Sequence, residues 1–331
     1  MVDFFSEALP IMLVFLFGSV GEIITEKSGH LNMGTPGIMC LGGAGAIIGL
    51  NIYVDIIGAE AIVEYGKGIV VLGILLPLFF GVLLAMLGGL IFCFIVDTLR
   101  CNQNVTGLVL TIFGEGILLF VGTLVYPLYD DMKGTAFTTV ATNYFKCALP
   151  RSFAKANLFT EIVFNHGILF YAGIAIAIIA FFIIKKTRVG LSLRSVGENP
   201  GTSDASGVNV IRYRYVATLI GSAISGLGGI FYFLEKNTAS SEFNIAQYGW
   251  IAVALVIFAM WNTGFSVIGS FLFAICYTAA MKAPIDGVMK YIVYKIPFFI
   301  TIIVLIVVST LNKKETLPPT ALGQSYYRED R

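Results

Sequence analysis

The chain holds 331 residues, of which 57% are apolar and 12% charged, and its net charge is +1. Soluble domains carry roughly 25% charged residues, so charges this sparse could not cover a soluble core of this size, and a soluble enzyme is excluded. The same numbers exclude a disordered, collagenous or coiled-coil chain, and a near-neutral balance offers nucleic acid no basic face.

With a mean hydropathy of +0.87, the chain reads as an all-α, polytopic helical membrane protein. One transmembrane domain is expected over 1–311 and a loose cytoplasmic tail over 312–331. Hydropathy gives nine candidate segments: 9–25, 34–50, 68–96, 105–125, 165–184, 214–234, 245–261, 265–281 and 290–311. A bilayer core needs about 17–25 apolar residues per helix.

The first segment follows MVDFFSEALP, which is acidic and lacks both a basic start and a small-residue cleavage site. It reads as a retained membrane helix rather than a secretory signal. Glu22 falls near its cytoplasmic end, where snorkelling or pairing with Lys27 suffices. The second segment is crowded with Gly34, Pro36, Gly37, Gly42, Gly43, Gly45 and Gly49. That density predicts a broken or partly re-entrant helix, tolerated only where protein or a cavity surrounds it. Segment 68–96 is long and contains Pro77, but nothing polar divides it, so one kinked, tilted helix is expected.

Segment 105–125 carries Glu115 between Gly114 and Gly116. An ionisable group at bilayer depth costs several kcal/mol unless paired or wetted. Glu115 is therefore either a hydrogen-bond acceptor facing a wet cavity or a structural carboxyl against a neighbouring helix. Residues 126–164 form an external loop. The polar connection 188–210, RVGLSLRSVGENPGTSDASGVNV, predicts an ordered cytoplasmic element. Asn199 and Pro200 stop one short helix, and Ser203 or Asp204 caps another. Two such helices joined at a Gly-Glu-Asn-Pro corner suit docking to another protein.

Orientation follows from the basic residues. Lys185, Lys186, Arg188, Arg194, Arg212 and Arg214 cluster in one loop, and Lys313, Lys314, Arg328 and Arg331 lie in the tail. Four spans separate the two regions, so both can be cytoplasmic with the N-terminus outside. Cys101 then faces the cytoplasm and Cys147 the exterior.

Catalytic patterns are missing. Gly66-Lys67-Gly68 lacks the flanks of a phosphate-binding loop, and no GxSxG or HExxH occurs. Cys40, Cys93, Cys101, Cys147 and Cys276 form no paired spacing, and His30 lies far from His166. No disulfide framework, metal site or bound cofactor is expected.

Two stretches carry a resemblance. GEIITEKSGHLNMGTPGIMCLGGAGAIIG, residues 21–49, and LRSVGENPGTSDASGVNVIRYRYVATLIGSAISGLGGIF, residues 193–231, resemble the paired signatures of bacterial ABC importer permease subunits. The branch is that of branched-chain amino acid, ribose and nucleoside permeases. The combination is most similar to nucleoside and simple-sugar permeases served by basic-membrane-protein-type receptors. One departure stands out: many relatives carry a Glu before the glycine where this chain has Thr35-Pro36-Gly37.

The resemblance implies a multi-pass permease of the bacterial inner membrane. Nucleosides are its first expected substrate, ribose or galactose the second and riboflavin the third. It also implies a separate ATPase that holds ATP-Mg, a second and different permease subunit, and a lipoprotein or periplasmic receptor. The substrate path is placed along Asn32, Gly34, Gly37, Gly42 and Glu115. Coupling to the ATPase is placed at Arg194, Gly197, Glu198, Asn199, Pro200 and Asp204. Rival readings are a secondary transporter with Glu115 as proton carrier, and a membrane scaffold.

Overall fold

The computed structural model describes residues 2–65, 68–125, 131–146, 165–239, 244–282, 289, 292–293, 295–311 and 317–327. Helices α1 (Val2–Glu26), α2 (Thr35–Ile57) and the short α3 (Ala59–Val63) come first. Next are α4 (Val70–Cys93), α5 (Gln103–Val125) and α6 (Asp131–Val140). After them come α7 (Ile168–Lys186), α8 (Arg188–Glu198), α9 (Pro200–Ala205) and α10 (Val210–Phe231). Helices α11 (Ile245–Phe258), α12 (Thr263–Lys282) and α13 (Ile296–Leu311) complete the set. Among the described residues, 7 helices are long and apolar enough to cross a membrane. The other two hydropathy segments hold the shorter α11 and α13.

α2 is the axis of the bundle, with α4, α5, α10 and α11 around it, while α1 packs on α10, α11, α12 and α7. The expected break in 34–50 is absent, because α2 is one continuous helix of 23 residues. Pro36 lies in its first turn, where a missing N–H costs nothing. Its glycines mark close approaches instead of breaks. A Cβ on Gly42 would stand 2.7 Å from the Gly226 Cα of α10, and one on Gly37 would stand 2.8 Å from the Leu110 carbonyl carbon of α5. Small residues let backbones touch where lipid supplies no hydrophobic drive for association. Only glycine fits these contacts.

The long fourth segment is one span, as expected: α4 runs through a π-helical segment, Phe94–Thr98, giving 29 residues from Val70 to Thr98. Within the predicted external loop, α6 and the π-helical Ala141–Phe145 bury Phe137, Val140 and Phe145 in the core. Cys147 lies outside the described residues.

Glu22 neither snorkels nor pairs with Lys27. It is fully buried and accepts the Thr35 hydroxyl, because its face of α1 meets the start of α2 rather than lipid. Glu26, one turn on, accepts the indole N–H of Trp261. Met260 and Trp261 take φ of 52° and 54° in the turn that aims that indole. Left-handed backbone costs a β-carbon residue about 1–2 kcal/mol, so the packing around Glu26 must hold it there.

Candidate functional site

α5 has two faces. Thr106, Gly107, Leu110, Thr111, Gly114 and Leu118 are buried at helical spacing, toward α2. Val109, Ile112, Phe113 and Phe120 are exposed on the other side, with Glu115 and Gly116 among them. Glu115 is therefore a carboxylate on an otherwise apolar outer surface.

The other predicted path residues are placed differently. Asn32 is buried in the α1–α2 turn, where its Oδ1 accepts the Gly34 N–H at 3.0 Å. Gly34 and Gly37 lie against α5, and the Thr111 hydroxyl donates to the Met33 carbonyl at 2.9 Å. Gly42 faces away from α5, toward α10. The α2–α5 seam thus gathers Gly34 and Gly37 behind Glu115, but Asn32 and Gly42 do not share its surface.

The predicted coupling residues do come together. The Thr187 hydroxyl caps α8 by accepting from Gly190 N–H at 3.1 Å, and Asn199 Oδ1 caps α9 by accepting from Thr202 N–H at 2.9 Å. Asn199 takes the cap expected of Ser203 or Asp204, because Pro200 occupies the first helical position. Ser203 is instead buried and bonded to Ser195, Oγ to Oγ, at 2.6 Å. Arg194 Nε reaches back to the Gly190 carbonyl at 3.4 Å, and Gly197 is pressed against the Lys27 carbonyl of the α1–α2 turn.

Of the tail that the sequence predicts to be loose, the described residues 317–327 lie against the corner. Within 317–327, Ala321 N–H donates to the Gly197 carbonyl at 3.0 Å, and Gly323 N–H donates to the Gly29 carbonyl at 3.0 Å. The Thr320 hydroxyl donates to Glu198 Oε2 at 2.7 Å, and the Tyr326 hydroxyl donates to Asp204 Oδ2 at 2.8 Å. A cavity of about 390 Å³ opens between the corner and this strap, lined by Glu198, Asn199, Pro200 and by Thr320, Gln324 and Tyr326.

Beneath the corner lies a buried polar junction that sequence reasoning missed. His30 meets Asp97 Oδ1 through Nε2 at 3.0 Å and the Thr218 hydroxyl through Nδ1 at 2.8 Å. Burial pushes the imidazole below its ordinary range, although Asp97 opposes the shift. The neutral ring then donates from Nε2 to the carboxylate. Arg214, fully buried, lies 3.6 Å from Asp97 Oδ1 and donates from Nη2 to the Gln324 carbonyl at 3.1 Å. Lys27, at the edge, is held below its usual range by burial, with the Glu198 carboxylate opposing. The ligand atoms of His30, Cys93 and Asp97 lie within 4.8 Å of one another, a spacing a metal could use. Arg214 already brings a positive charge to Asp97, so an ion pair explains the cluster. The available signal was an Asp and an Arg at the ends of apolar spans, each needing a partner.

An apolar groove of about 770 Å³ runs between α7, α8 and α10, lined by Ile179, Ile183, Val189, Val216 and Ile220. Asn209, Arg212 and Tyr213 are its few polar lining residues, so it suits an acyl chain better than a polar solute.

Residues 5–305 match the family described as branched-chain amino acid transport system, permease component. The chain is 28% identical to the nucleoside ABC transporter permease protein NupC of Lactococcus lactis, over 95% of this chain and 93% of that protein. It is 28% identical to the guanosine ABC transporter permease protein NupQ of Bacillus subtilis, over 79% and 77%. It is 27% identical to a protein of Haloferax volcanii provisionally named glucose ABC transporter permease protein TsgC13, over 96% and 94%. No solved structure matches.

Proposed function

The chain belongs to the permease-component family of branched-chain amino acid transport systems, and from that premise we propose that it forms one wall of an ATP-driven import pathway for nucleosides. It is a multi-pass membrane protein of a transport system. The observation that carries the pathway is Glu115, a carboxylate on the exposed apolar face of α5. In lipid such a group is costly. Against a second permease subunit and an aqueous path it becomes a hydrogen-bond acceptor for a neutral, polyhydroxylated solute.

The nucleoside assignment leans on the two relatives named for nucleoside and guanosine transport. The glucose-named relative supports simple sugars as the second reading. ATP hydrolysis falls to a separate ATPase that binds ATP-Mg and docks at the 194–204 corner. A lipoprotein or periplasmic receptor delivers substrate from outside. Placing that corner in the cytoplasm puts the N-terminus outside and exposed Cys101 inside. An impermeant maleimide applied to intact cells should leave Cys101 unlabelled, and labelling there would invert the topology.

The deciding experiment is uptake. Cells expressing the transport system should accumulate labelled guanosine or uridine, and excess unlabelled nucleoside should compete while glucose and ribose do not. Competition by glucose alone would move the assignment to sugars.

A further inference from the structure

The strap 317–327 does not plug the coupling corner; it stands beside it. Glu198, Asn199, Pro200 and Gly201 remain on one side of the 390 Å³ cavity, with Thr320, Ala321, Gln324, Ser325, Tyr326 and Tyr327 on the other. Side-chain bonds tie the strap to the corner, Thr320 to Glu198 and Tyr326 to Asp204. Backbone bonds add to them, from Ala321 to Gly197 and from Gly323 to Gly29, and the Gln324 carbonyl accepts from Arg214 and Gln103. Gly323 makes the required bend with φ of 77°, which glycine adopts freely. Arg100 lies 4.8 Å above the Tyr327 ring, fixing the far end.

We propose that the ATPase subunit docks on a composite surface, with strap residues 320–327 forming one wall of the cavity that receives it. This rests on the reading of the 194–204 corner as the coupling element and adds the second half of the socket. The cavity's chemistry describes what enters it. Both Thr320 bonds fall on Glu198 Oε2, so the carboxylate keeps an accepting oxygen for an incoming donor. With Asn199, Thr320 and Tyr326 around it, the socket fits a basic or amide side chain of the ATPase better than an apolar knob. The strap also gives the push a second route. Gln324 accepts from buried Arg214, and Gly323 holds Gly29, so a load on the socket reaches α10 and the end of α1 directly.

The test uses the assembled transport system, with the photoreactive residue p-benzoylphenylalanine replacing Gly201 in one variant and Ser325 in another. Crosslinking to the ATPase from both positions carries the proposal. Crosslinking from 201 alone overturns it while leaving the coupling corner in place; from 325 alone it overturns the composite surface. Crosslinking from neither overturns the corner assignment as well. In a second measurement, the chain ending at residue 316 should reach the membrane at parental level but recover at least tenfold less ATPase on purification. Equal recovery would overturn the strap's role.

Discussion

The Arg214 guanidinium and the Asp97 carboxylate stand 3.6 Å apart, both nearly sealed from solvent, and join the end of the α4 span to the start of α10. Removing one partner leaves the other's charge buried, at a cost of about 3–5 kcal/mol. Arg214→Gln should therefore lower the thermal stability of the purified chain sharply. Adding Asp97→Asn to it should recover part of the loss. A double variant no better than Arg214→Gln alone would show that the two groups act independently.

The glycine seam gives a steric prediction. Gly42→Leu must part α2 from α10, and overpacking of this kind costs about 1–3 kcal/mol or more. A Cβ on Gly116 meets nothing within 4 Å, so Gly116→Ala should leave the isolated chain within about 0.5 kcal/mol of the parent. Thermal denaturation in detergent reads both. Equal melting of the two variants would contradict the seam.

On the outer face of α5, Glu115→Gln should reduce uptake less than Glu115→Leu, because the amide still accepts and donates hydrogen bonds. Labelled-nucleoside uptake, normalised to membrane level, measures the difference. Equal and complete loss in both would mark the carboxylate as obligatory and favour proton coupling.

At the corner, a side chain at Gly197 would meet the Lys27 carbonyl and come within 3.3 Å of Pro319. Gly197→Val should lift α8 from the α1–α2 turn and loosen the strap, and Glu198→Lys should reverse the charge inside the socket. Both variants should insert normally, yet either lose the ATPase on purification or hydrolyse ATP without matching uptake. Parental transport in both would remove this loop from the coupling path.

His30 supplies a pH dependence. Burial pulls its imidazole below the ordinary range in the folded chain, against the opposing Asp97 carboxylate, whereas the unfolded ring titrates at about 6.5. The unfolded state binds the extra proton, so stability is intact above that value and falls as the medium acidifies through it. The melting temperature should drop between about pH 7.5 and pH 5.5, where the ordinary imidazole gains its proton. His30→Gln should flatten that drop. An unchanged slope in the variant would assign the dependence to other groups.

Hydropathy placed the helices well because apolar length is a one-dimensional property, and α4 with Pro77 was readable as a single span. The interior of α2 was not. Glycine breaks helices in water but brings helices together in a bilayer, and the letters at 34, 37 and 42 do not say which applies. The same ambiguity hid the side of α5 that Glu115 occupies. At the corner, Asn199-Pro200 carries its own cap signal, since proline at the first turn makes the preceding residue the cap. The strap carried no such signal. Its contacts with Gly29 and Gly197 are backbone bonds between distant parts of the chain, which composition cannot register.

At 29 residues, the Val70–Thr98 span reaches about 43 Å at 1.5 Å per residue. The hydrocarbon slab is about 30 Å deep, and swallowing the whole span would need a tilt beyond the usual range of 0–40°. At least one end therefore overshoots the slab, and an overshoot at the Thr98 end sets Asp97 at headgroup depth beside Arg214 and His30. Bilayer thickness becomes a variable of the ionic junction: a thicker membrane draws the pair toward hydrocarbon, and a thinner one leaves it among the headgroups.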